Sequence, residues 1–154
     1  MSGKNFQNLL NATLDWNNIE AAALMTGTDP DIIAAMGIRE SGYENVIGDN
    51  GHGYGIFQFD NRYNSPNDLY VAMTFPNVAA EMVGNRLATS YTHNSNLGAS
   101  PDVALAGAVR AYNAGQPSTS QFMSNVPGYV DLDIGTANND YVSQVLAIAQ
   151  NCFH

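Results

Sequence analysis

This 154-residue chain has little cysteine and little positive charge. Cys152 is the only cysteine, which excludes a disulfide within the chain. The fixed cations are Lys4, Arg39, Arg62, Arg86 and Arg110, set against 14 acidic residues for a net charge of −9. A nucleic-acid binder needs a basic face to neutralise phosphates, and five cations cannot build one. The same charge opposes adsorption to anionic membranes. No run approaches the roughly 20 apolar residues of a membrane span, so no membrane insertion is expected. Met1 to Glu20 also lacks the basic and apolar regions of a signal peptide. His52, His93 and His154 show no metal-ligand spacing, and no serine or cysteine nucleophile motif occurs. Neither a metal nor a cofactor is expected.

Charged residues make up only 12% of the chain, about half the usual share, so its polar surface must come from Asn, Gln, Ser, Thr and Tyr. Such a surface suits neutral, hydroxyl-rich ligands. The 45% of hydrophobic residues supplies a core, and the length fits one compact domain, residues 1–28 forming a helical N-terminal extension of it. A monomer is expected.

Helical patterns dominate. Asn17 to Met25 reads as a helix. Asp29-Pro30 joins an N-cap to a first-turn proline, and the helix it opens is apolar on most sides until about Glu40. The glycine-rich stretch from Gly48 to Gly55 suits tight turns, and Ile56 to Phe59 reads as a short strand. Helical spacing returns from Asn77 to Tyr91, with Gly84 as its weak point, and from Ser100-Pro101 to about Asn113. Pro117 to Asp133 reads mostly as loop, and a last helix starts near Asn139. The expected class is mainly α, with one small hairpin or sheet.

Glu40 is the sharpest chemical feature. It ends a nearly all-apolar helix, where the helix dipole is negative and the surroundings desolvate a carboxylate. Both effects favour the protonated form that a general acid requires. The position equally suits a salt-bridged or solvent-facing glutamate. Strand alternation would put Tyr54, Ile56, Gln58 and Asp60 on one face and Phe57 and Phe59 on the other. Asp49 and Asp60 then become a second pair of candidate carboxylates, with turn capping as the other reading of each. They match the first and last positions of a calcium-binding EF-hand loop, but Gly51, Gly53 and Tyr54 replace its inner ligands and its glycine, which excludes that site. Tyr112 and Asn113 end one helix and Tyr141 opens another; tyrosines there fit sugar stacking or core packing.

Arg39-Glu40-Ser41, Gly48-Asp49 through Gly53-Tyr54-Gly55-Ile56-Phe57-Gln58-Phe59-Asp60, Ala111-Tyr112-Asn113-Ala114-Gly115 and Asn139-Asp140-Tyr141 stand in that order. Together they resemble goose-type lysozymes and the related soluble lytic transglycosylases, glycoside hydrolase family 23, over about Pro30 to Gln150. The resemblance implies a lysozyme-like helical fold. It also implies cleavage of the β-1,4 bond between N-acetylmuramic acid and N-acetylglucosamine in peptidoglycan. It makes Glu40 the general acid, Asp49 and Asp60 the pair that holds the attacking water, and Gln58, Tyr112, Asn113 and Tyr141 glycan contacts. Two departures are Ile56-Phe57-Gln58-Phe59, where the family usually has Leu-Met-Gln, and the short stretch between Glu40 and Asp49. A protein of this kind acts at the bacterial cell wall, whether secreted, virion-associated or delivered as an effector. The absence of disulfides points to a bacterial, fungal or phage version. The rival readings are a lytic transglycosylase, a chitinase, and a non-catalytic wall-binding or virion protein.

Overall fold

The structure is a computed structural model, described for residues 3–118, 121 and 130–153. It is mainly helical and divides into two compact units, residues 1–84 and 85–154.

The first unit starts with α1 (Gly3–Leu14) and α2 (Trp16–Thr26). α3 (Pro30–Ser41) follows as expected: the Asp29 carboxylate accepts the Asp31 N–H at 2.9 Å and Pro30 occupies the first turn. Every residue from Asp31 to Gly37 is buried, so α3 is the central helix of this unit. A sheet of three two-residue strands comes next: β1 (Ile47–Gly48), β2 (Gly53–Tyr54) and β3 (Phe59–Asp60). The strands are antiparallel in the order β1-β2-β3, with Gly48 opposite Gly53 and Gly53 opposite Asp60.

The strand expected over Ile56–Phe59 is not formed. Residues 55–58 are a turn between β2 and β3, and only Phe59 lies in a strand. Ile56 and Phe57 are consecutive and both buried, which a strand with one face open to a cleft would not give and a tight turn permits. Gly55 makes the turn possible. Its φ is +80°, and a Cβ there would stand 2.6 Å from the carbonyl oxygen of Ala72. That carbonyl belongs to α4 (Pro66–Thr74), a helix not foreseen, capped by Ser65, whose Oγ accepts the Asp68 N–H at 3.1 Å.

α5 (Pro76–Asn96) runs without a break through Gly84, and the boundary between the units falls within it. In the second unit α6 (Pro101–Ala114) is joined to α5 by the buried Asn94, whose amide donates to the Ala104 carbonyl at 3.0 Å. α7 (Val130–Asp133) and α8 (Tyr141–Cys152) complete the described elements. Val109, Leu132, Tyr141, Val142 and Val145 are buried in this unit. Most of the loop expected from Pro117 to Asp133 lies outside the described residues.

Candidate active site

Glu40 lies half-buried in the last turn of α3. The helix stops there because Gly42 turns left-handed, with its N–H bonded to the Ile38 carbonyl and the Tyr43 N–H bonded to that of Gly37. Two side chains fix this end. Tyr43 is buried and donates its hydroxyl to Asp15 at 2.7 Å; burial first, then the Asp15 hydrogen bond and charge, push its phenol well above the ordinary range. Ser41 donates to the carbonyl of Ile56 at 2.7 Å, so the helix that carries Glu40 is bonded to the β2–β3 turn.

Gln58 closes that turn with a φ of +49°. Its amide nitrogen donates to the carbonyls of Val46 at 3.0 Å and Gly55 at 2.8 Å. The side chain lies over Gly48 and Gly53, and a Cβ on Gly48 would come within 2.5 Å of Gln58 Oε1. Two glycines opposite each other thus make room for one glutamine. The strand face expected to align Gln58 with Asp60 does not exist, because Gln58 is a turn residue whose donors serve the sheet.

The two aspartates are brought together by a residue that the sequence reading passed over. Asp60, at the end of β3, accepts from Arg62 with both carboxylate oxygens: Oδ1 from the backbone N–H at 2.8 Å and from Nε at 2.9 Å, Oδ2 from a terminal nitrogen at 2.5 Å. The same terminal nitrogen donates to Asp49 Oδ2 at 3.3 Å. Asp49 stands at the start of the 3-10 turn Asp49–Gly51, with a φ of +48° that aspartate tolerates better than most residues. The Arg62 hydrogen bond is the largest cause holding the Asp60 carboxyl down, from an ordinary 3.8 to about 2, and the charges of Arg62 and His52 add to it. Asp60 therefore also serves as the turn cap that was its other reading. The available signal was an arginine two places after an aspartate, in a chain with so few cations.

In the second unit Tyr112 and Asn113 lie half-buried in the last turn of α6. Tyr112 lines a pocket of about 510 Å³ with Asn85, Arg86, Ser90, Ala108 and Gln116 among its other walls. That volume is within the range of small-ligand clefts. The Asn113 side-chain oxygen accepts the Ala137 N–H at 2.9 Å, which leaves its NH₂ group for other partners. Arg110 is buried and donates to the carbonyls of Gly115 at 2.6 Å and Ile134 at 3.2 Å, bracing the end of α6; burial lowers its pKa. Tyr141 is wholly buried, so its ring has no face open to a ligand. Among the described residues no group of His, Cys, Asp or Glu gathers as a metal site, and no helix is long and apolar enough to cross a membrane.

A mainly helical chain with a glutamate at a helix end and a joined carboxylate pair on a small glycine-rich sheet has the build of the lysozyme-like class. The family described as Lysozyme g matches residues 13–153. The chain is 32% identical over 126 residues to the Lysozyme G of Dromaius novaehollandiae, covering 79% of this chain and 57% of that one. It is 31% identical over 126 residues to the Lysozyme g of Casuarius casuarius, covering 79% and 63%. Against the Lysozyme g of Struthio camelus it is 32% identical over 132 residues, covering 79% and 57%. The chain belongs to the lysozyme g family, the goose-type lysozymes. It spans about three-fifths of the length of these relatives.

Proposed function

We propose that this protein is a peptidoglycan hydrolase that cleaves the β-1,4 bond between N-acetylmuramic acid and N-acetylglucosamine at the bacterial cell wall. Glu40 gives its proton to the glycosidic oxygen as the bond breaks. It stands half-buried in the last turn of α3, a position from which a carboxyl group can reach a bound glycosidic oxygen. Positive charge develops on the sugar, and the carboxylates of Asp49 and Asp60 orient a water on its opposite face. That water attacks the anomeric carbon and gives up a proton to the aspartate pair, which inverts the anomeric centre. Tyr112, on the wall of its pocket, offers a partly open ring to a sugar, and Asn113 has an amide NH₂ to donate. Gln58 acts by shaping the sheet, and Tyr141 acts from the core.

The observation that carries this reading is the aspartate pair joined by Arg62, on a sheet whose β2–β3 turn is hydrogen-bonded to the end of the Glu40 helix. An acid alone would suffice if the muramyl 6-hydroxyl were the nucleophile; a second carboxylate has a use when water is. The test is incubation with purified peptidoglycan and with chitin oligomers, the products read by mass. Reducing-end products from peptidoglycan are expected, and Glu40→Gln should lower turnover at least about 10²–10⁴-fold with binding retained. Products lighter by one water would mean transglycosylation, and cleavage of chitin alone would mean a chitinase. A wild-type protein that binds walls without turnover would be a non-catalytic member of the family.

A further inference from the structure

We infer that Arg62 is a positioning residue that makes Asp49 and Asp60 a single unit, with both carboxylates held to one place by one guanidinium; this rests on the hydrolase reading. An ordinary surface ion pair contributes little and joins two flexible side chains. This arrangement differs in three ways. The guanidinium meets Asp60 through two nitrogens, so the plane of the carboxylate is set as well as its distance. The backbone N–H of Arg62 bonds the same carboxylate, so the Asp60 side chain is held by the main chain as well as by the guanidinium. And the terminal nitrogen reaches Asp49 at 3.3 Å, thirteen residues back, closing the loop around β2.

The electrostatic consequence follows from placing like charges together. Two carboxylates that share a site repel, and one of them ordinarily takes up a proton. A guanidinium bonded to both offsets that repulsion. Asp60 faces Arg62 and His52, and Arg62 faces Asp60, Asp49 and Tyr63, so Arg62 is the fixed cation that both aspartates share. The two aspartates are not equivalent. Both Asp60 oxygens are taken by Arg62, while Asp49 spends only Oδ2, and its Oδ1 accepts no hydrogen bond among the described residues. Asp60 is thereby the anchor of the pair, and Asp49 keeps an oxygen free for water.

The test uses Arg62→Gln and Arg62→Lys in the full chain, assayed on peptidoglycan well below the melting temperature. Arg62 is 52% exposed in its side chain, so neither change empties a core position. Arg62→Gln should lower kcat on the order of 10²-fold with KM nearly unchanged, the loss expected when catalytic groups are misplaced but substrate contacts remain. The acid limb of its pH–rate profile should move upward. In a carbon NMR titration, the Asp60 carboxyl should move from about 2 back toward 3.8. Arg62→Lys should keep the acid limb close to wild type yet recover only part of kcat, because an ammonium supplies charge without the fork. In an Asp60→Asn background, Arg62→Gln should cost much less than it does alone. A hydrolytic wild type with Glu40→Gln inactive and Arg62→Gln unchanged in kcat and acid limb would overturn this inference alone. Anhydro products from the wild type would overturn the hydrolase reading and this inference with it.

Discussion

Ser41 donates its hydroxyl to the Ile56 carbonyl at 2.7 Å, and the same oxygen accepts the Glu44 N–H at 3.0 Å. One side chain therefore fixes the helix end beside Glu40, the segment leaving it and the turn that carries Gln58. Ile56 is buried, so Ser41→Ala leaves its carbonyl without that donor, which should cost about 1–3 kcal/mol. Urea denaturation measures this directly. The kcat of the variant should fall too, since Glu40 is the neighbouring residue; an unchanged denaturation midpoint would show that Ser41 is dispensable.

How far the sequence reaches depends on how many residues carry each signal. Asp29-Pro30 and Ser100-Pro101 announced α3 and α6 because a cap, a proline and several turns of apolar spacing agree. Ser65-Pro66 gives the same opening for α4, but only nine residues follow, too few for the apolar pattern to stand out. The strands are two residues long, so alternation has nothing to act on, and a turn was read as a strand. Glu40, Asp49 and Asp60 stood out as candidates because they stand in motifs. The role of Arg62 was not legible, since its partners lie two and thirteen residues away and only the closed sheet brings Asp49 to it.

Tyr43 gives a stability signature in alkali. Its phenol is held above the ordinary 10.0 by burial and by Asp15, so the fold favours the neutral form. The unfolded chain ionises this group near its ordinary value, so the stabilisation is intact below that pH and is lost as pH rises beyond it. Tyr43→Phe should be less stable than wild type by about 1 kcal/mol at neutral pH, through loss of the hydrogen bond to Asp15. The gap should narrow above pH 10, because only the wild type must keep a phenol neutral. Denaturation midpoints on either side of pH 10 decide it: a gap of constant size would remove Tyr43 from the alkaline response.

The net charge of −9 sets a prediction about salt. Walls rich in anionic polymers repel such a protein, and ions screen that repulsion over roughly 8–10 Å near physiological strength. Turnover of anionic walls should rise with moderate salt, while uncharged glycan oligomers should show little dependence. Fastest cleavage of anionic walls at the lowest salt would contradict the repulsion argument.

The last prediction concerns α8, which carries Tyr141 at its first position. A helix start leaves N–H groups without partners, and the residue at the cap position, Asp140, makes no capping bond with its side chain. The acceptor comes instead from Asp133, at the end of α7 and only 3% exposed. Its Oδ1 accepts the Val142 N–H at 2.6 Å, and its Oδ2 accepts the Ser143 N–H at 3.2 Å and the Ser143 hydroxyl. A carboxylate at the positive end of a helix also gains from the dipole. Asp133→Ala removes all of this from a buried place, so about 2 kcal/mol or more should be lost. Asp133→Asn should lose nearly as much, because its NH₂ must face a backbone N–H in place of one oxygen. Hydrogen exchange at Val142 and Ser143 should accelerate in both variants before the rest of α8 responds. Stability within ~0.5 kcal/mol of wild type for both, the usual effect of an indifferent surface change, would mean that α8 is capped by something other than Asp133.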